Sequence, residues 1–152
     1  MAVVPVTVPG QDRVLVRHDD VVVAVVGVRA YPQAVMFQLL IKTRFAGDEH
    51  PELAFRLPRE LRAGNFEFGA DLCDADGQWR ATEVKFAGGG GGGEADGMGS
   101  YEFKWWVPLS DTDRGLRLWC AWGKRGVPRS IAELDLDLVL AASRASESVW
   151  PA

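Results

Sequence analysis

The sequence predicts an all-β protein: one antiparallel β-sandwich of about eight to ten strands over residues 1–152, closed by a short C-terminal helix over 137–149. Three observations carry this. β-Branched and aromatic runs recur every 8–12 residues or so with turn residues between them, the pattern of a sandwich or barrel. Along several runs apolar side chains alternate with polar ones, so one face of each is buried. A chain of 152 residues, 47% of them apolar, is large enough to build one core without staples.

An extended segment over 2–8 precedes Pro9-Gly10, and strands are expected at 13–17, 21–30, 34–44, 53–57, 66–73, 78–86, 101–109, 115–123 and 130–136. Val21–Val28 is almost wholly apolar and reads as a central strand buried on both faces, and Pro32 separates it from the next. Pro51 and Pro58 bracket Leu53–Leu57, which suits an edge because proline cannot donate to a ladder.

Two hairpins have a readable register. In the first, Phe66, Phe68 and Ala70 fall opposite Phe86, Val84 and Thr82, and Glu67 opposite Lys85, around Ala75-Asp76-Gly77 with glycine at the left-handed position. In the second, Phe103, Trp105, Val107 and Leu109 pair with Trp122, Cys120, Leu118 and Leu116, which sets Trp106 beside Trp119 on the opposite face. Residues 87–99 hold six consecutive glycines, Gly88–Gly93. Glycine loses the most backbone entropy on ordering, so this stretch reads as a mobile loop. It lacks the Lys-Ser/Thr and following helix of a phosphate loop. In the tail, Asp137 is positioned to cap a helix with Leu138, Ala141, Ala142, Ala145 and Val149 on one face, ended by Trp150-Pro151.

Charge narrows the function classes. A net charge of −4 argues against a generally basic nucleic-acid binder. Two cysteines make neither a disulfide framework nor a four-cysteine zinc site. No positively charged, apolar leader opens the chain and no apolar run is long enough to span a bilayer, so no membrane association is expected. The expected compartment is the cytoplasm, with Cys73 and Cys120 reduced.

If consecutive strands simply reverse, one end of the sandwich collects His18, Asp19, Asp20, Asp48, Glu49, His50, Asp74, Asp76, Asp111 and Asp113. Clustered carboxylates on adjacent loops suit Ca²⁺, and two histidines with a carboxylate suit a transition metal. The competing reading is that aspartate is simply a turn residue. The opposite end would collect Lys124, Arg125 and Arg129, a candidate anion patch. No Gly-x-Ser-x-Gly elbow is present, and Cys120 lies on the predicted core face. Trp106 and Trp119 form a candidate platform for a partner or a sugar, unless the tail helix covers them.

The C-terminal half resembles a group of small actinobacterial all-β proteins. The likeness rests on Gly88–Gly93, on Lys104-Trp105-Trp106-Val107-Pro108-Leu109, on Cys120-Ala121-Trp122 and on Val149-Trp150-Pro151, and Val26–Pro32 in the N-terminal half is also similar. The second Trp of Trp105-Trp106 and the lack of a second proline after Leu109 depart from that pattern. The resemblance implies a shared fold unit and no activity. The sequence therefore favours a non-catalytic module, without a cofactor, that binds a protein partner or a second copy through a sheet face or edge. A ligand-binding sandwich, for Ca²⁺ or carbohydrate, and a hydrolase are the alternatives.

Overall fold

The computed structural model describes residues 5–44, 66–93, 98–123 and 126–147. Two antiparallel sheets pack face to face. The first holds β1 (Val6–Thr7), β2 (Arg13–Arg17), β3 (Val21–Tyr31), β4 (Ala34–Arg44), β7 (Lys85–Gly93) and β8 (Met98–Pro108). Its order is β1-β3-β4-β8-β7, with β2 on the same side of β3 as β1. The second holds β5 (Phe66–Cys73), β6 (Trp79–Thr82), β9 (Gly115–Trp122) and β10 (Val127–Leu134) in the order β10-β9-β5-β6. A single helix, α1 (Leu136–Glu147), follows among the described residues. The expected strand at 53–57 lies outside them.

Alternation explains the core. On β4, Val35, Phe37, Leu39 and Ile41 are fully buried, and each large side chain so buried stabilises the fold by about 1.5–3 kcal/mol. Phe68 of the second sheet meets Phe37 and Trp105 of the first at centroid distances of 5.9 and 5.6 Å. β3 lies centrally, but only one of its faces is fully buried, and the other is half-buried. Pro32 and Gln33 turn β3 into β4, Gln33 taking a positive φ of 57°.

The first predicted hairpin is half right. Ala70 pairs Thr82 and Cys73 pairs Trp79, around a turn in which Gly77 has φ 82°. Beyond Thr82 the chain crosses to the other sheet, where Lys85 pairs Trp106 and Phe86 pairs Trp105. Glu67 therefore does not face Lys85. The predicted strand 78–86 is instead two strands in different sheets, β6 and the start of β7.

The second predicted hairpin does not form. β8 pairs β4 and β7, whereas β9 pairs β5 and β10. The predicted core face is nevertheless correct, since Phe103, Trp105, Val107, Leu109, Leu116, Leu118, Cys120 and Trp122 are all buried. The two strands belong to opposite sheets and do not lie side by side.

The glycine run is also corrected. Gly88–Gly93 belong to β7 and pair with Lys104–Gly99 of β8, while 94–97 lie outside the described residues. Glycine keeps its backbone donor and acceptor, so β8 can order it. Gly88 and Gly89 take φ of 138° and 151°, which side-chain-bearing residues rarely adopt. A Cβ on Gly89 would also strike the Glu102 carbonyl and the Phe103 backbone of β8.

α1 starts earlier than expected. Asp135, not Asp137, is its cap: the Asp135 carboxylate accepts from the Leu138 N–H, and its carbonyl from the Val139 N–H. The buried face is thus Leu136, Val139, Leu140, Ser143 and Ser146, while Leu138 is exposed. Ser143 turns inward because its hydroxyl donates to the Tyr31 carbonyl and accepts from the Gln33 N–H. The helix packs mainly on β3, β1 and β4. Beside it the sheets meet at β2 and β10: Arg13 donates to the Glu133 carbonyl and Gln11 accepts from the Asp135 N–H.

Candidate functional site

The outer face of the second sheet carries the most organised group of polar side chains among the described residues. Odd-numbered residues of β5 and β9 point outward, which brings Gly69, Asp71, Arg117 and Trp119 together. Asp71 is buried. Its Oδ2 accepts from Arg117 Nε at 2.9 Å and from Arg129 Nη2 at 3.3 Å. The Arg117 guanidinium stacks 4.4 Å from the Trp79 ring, and that of Arg129 lies 4.3 Å from the Trp119 ring. Each indole rests on a glycine. A Cβ on Gly69 would come within 2.7 Å of Trp119, and one on Gly115 within 2.7 Å of Trp79.

The result is a ladder running Trp79, Arg117, Asp71, Arg129, Trp119. Its charges are shared between one buried carboxylate and two cations. Arg129 is 51% exposed and Ile131, beside Trp119 in the register, is likewise 51% exposed. The ladder therefore holds planar donors and aromatic edges still while leaving part of them in solvent.

An apolar cleft of about 440 Å³ opens beside this face, where β6 leaves β5. Phe68, Val84, Phe86, Trp105 and Trp119 contribute to its wall. Phe86 is 40% exposed and stacks edge-on to Trp105. Trp105 Nε1–H is buried and meets no acceptor among the described residues.

The structure separates the two expected platform residues. Trp119 lies on the outside of the second sheet, under Arg129. Trp106 lies in the first sheet, across from Lys85, whose Nζ sits 4.5 Å from its ring. They share no surface, because β8 and β9 are not neighbours.

The acidic end is divided as well. The Arg44 N–H donates to the Asp20 carbonyl, placing His18, Asp19 and Asp20 at the far end of β4. The Leu109 N–H donates to Gln33 and the Arg114 N–H to Cys73, placing Asp74, Asp76, Asp111 and Asp113 at the opposite end. β4 ends and β5 begins at the same end of the sandwich, whereas simple reversal had put them at opposite ends, so every later loop is inverted. Asp48, Glu49 and His50 lie outside the described residues. Among the described residues no three His, Cys, Asp or Glu side chains gather as metal ligands.

Local turn chemistry accounts for two of these acids. Asp74 accepts from the Gln78 and Asp76 N–H groups and pairs with Arg80. The Gln78 N–H above all holds its carboxyl below the ordinary range, against a partly opposing desolvation. Asp113 accepts from the Ser110 N–H. In the expected anion patch, Lys124 and Arg125 lie outside the described residues, and Arg129 is bound to Asp71. Cys120 is buried and its thiol is pushed up to about 12 by desolvation, which removes it as a nucleophile at neutral pH.

Asp71, Arg117, Trp79 and the two glycines were not singled out from the sequence. One signal was present: aspartate is depleted inside strands, so Asp71 at an outward position between Phe66 and Cys73 needed a partner. The chain matches no protein-family model, no curated protein and no solved structure. No described helix is long and apolar enough to cross a membrane.

Proposed function

We propose that this chain is a non-catalytic protein-interaction module whose contact surface is the outer face of the four-stranded sheet. The observation that carries the reading is the ladder: two tryptophans and two arginines fixed around one buried carboxylate. Tryptophan and arginine dominate interface hot spots, and groups already immobilised lose little entropy on binding. Half-exposed Ile131 beside them supplies an apolar contact.

A sugar platform is less well supported. Trp119 already holds Arg129 against its ring and lies on Gly69, and Trp106 is remote from it. A hydrolase has no nucleophile–base pair among the described residues to support it.

The test is an Ile131→Glu variant beside the wild type. Light scattering measures self-association, and affinity capture from the native host with mass spectrometry measures partner retention. The reading expects wild type to self-associate or to retain a partner, and the variant to lose that association while keeping its circular dichroism. If both chains associate equally, the contact surface lies elsewhere.

A further inference from the structure

The edge of β5 is incompletely used. β9 pairs its whole length, but β6 covers only Ala70–Cys73. The unbroken register fixes where the backbone groups point. The Asp74 N–H donates to Gln78 on the β6 side, and the Cys73 carbonyl accepts from Arg114 on the β9 side. Even-numbered residues of β5 therefore direct N–H and C=O toward β6, as alternation in an antiparallel ladder requires. At Phe68 that side has no strand among the described residues.

The chain's own continuation does not fill the slot. Extending the β5–β6 register would place Val84 opposite Phe68 and Lys85 opposite Glu67. Instead Lys85 and Phe86 are engaged with Trp106 and Trp105 of β8. Among the described residues three features are left behind at strand spacing: a backbone donor and acceptor at Phe68, the apolar cleft along the edge with Phe68 and Trp105 on its inner wall, and the exposed Glu67 carboxylate on the outer side, with no ion-pair partner.

We propose that this slot takes an extended segment of a partner protein, added antiparallel to β5 in line with β6. The pleat specifies its chemistry. The residue opposite Phe68 faces the cleft and is apolar. The next residue faces outward opposite Glu67 and is basic. A small ligand would fill the cleft but not the backbone pair, whereas strand addition uses both. The inference goes beyond the outer-face reading: Trp119 borders both surfaces, but the Phe68 backbone pair and Glu67 belong to this one, and Ile131 and Arg129 take no part.

Amide exchange followed by NMR on the full chain tests it. The probe is a capped peptide of alternating valine and polar residues with one central lysine. In the free chain Phe68 should exchange quickly while Ala70 and Leu72, which pair with β6, are protected. Saturating peptide should slow Phe68 about tenfold or more. A peptide with proline at the residue opposite Phe68, which cannot donate there, should not. Glu67→Lys should weaken the lysine peptide and favour one with a central glutamate, without altering Ala70 or Leu72. The proposal is overturned if Phe68 is already protected without peptide, if that protection grows with protein concentration, or if the proline peptide protects equally.

Discussion

Asp71 is a buried carboxylate whose two cationic partners come from strands on its far side, Arg117 from β9 and Arg129 from β10. Removing its charge leaves both guanidiniums competing for water on a half-dry face. Asp71→Asn is expected to destabilise the fold by about 1–3 kcal/mol, read as a lower denaturant midpoint. Gly69→Ala attacks the same ladder sterically. The added methyl must displace the Trp119 indole, so a red-shifted tryptophan emission and a loss of about 1–3 kcal/mol are expected. The cysteines give a chemical check on burial. Cys120 is shielded and its thiol stays protonated up to about 12, so a maleimide at pH 8 should label half-buried Cys73 and spare Cys120 until the chain unfolds. That Cys120 faces the core was legible from alternation alone. The part played by Asp71 was not, because Arg129 is 58 residues away and arrives only through the pairing of β10 with β9.

Elements were read well where periodicity is local. The span of β4 is the one expected, as are those of β5 and the Ala75-Asp76-Gly77 turn. The turn makes a pH prediction. The Asp74 carboxyl lies below its ordinary value of 3.8, chiefly through the Gln78 N–H. A depressed carboxylate contributes its stability above the ordinary pKa and loses it as pH falls through the folded one. The Asp76 and Gln78 amide signals should therefore shift together below pH 3.8, and Asp74→Ala should abolish that shift. Sheet membership was less legible. An apolar face at Phe103, Trp105, Val107 and Leu109 is equally required whether β9 lies beside β8 or across the core from it. Periodicity fixes which side chains are inside and is silent on which strand is the neighbour. The glycines misled for a related reason: the cost of ordering them is visible in the sequence, and the strand that orders them is not.

At the scale of the molecule, among the described residues, the two sheets are joined on one side by β2, β10 and α1 and on the other by the chain passing from β6 to β7. Closure depends on the helix. Val139→Ala removes two methyl groups from a fully buried side chain and should cost about 2 kcal/mol, measured as a lowered thermal midpoint. The charge map drawn from the sequence failed globally because alternation of direction is cumulative: β5 starts at the end where β4 stops, and that single inversion exchanges the ends for every later loop. The surface that survives this correction is the Trp–Arg ladder, whose members come from four strands and depend on the whole sheet. Its most direct test is Arg129→Lys in a binding measurement against whatever the wild type associates with. Lysine keeps the charge but loses the planar stack on Trp119 and the Nη2 that reaches Asp71. The account predicts a folded variant with unchanged circular dichroism and an association weakened at least about tenfold, or 1.4 kcal/mol. A folded Arg129→Lys chain that binds as tightly as wild type would contradict it.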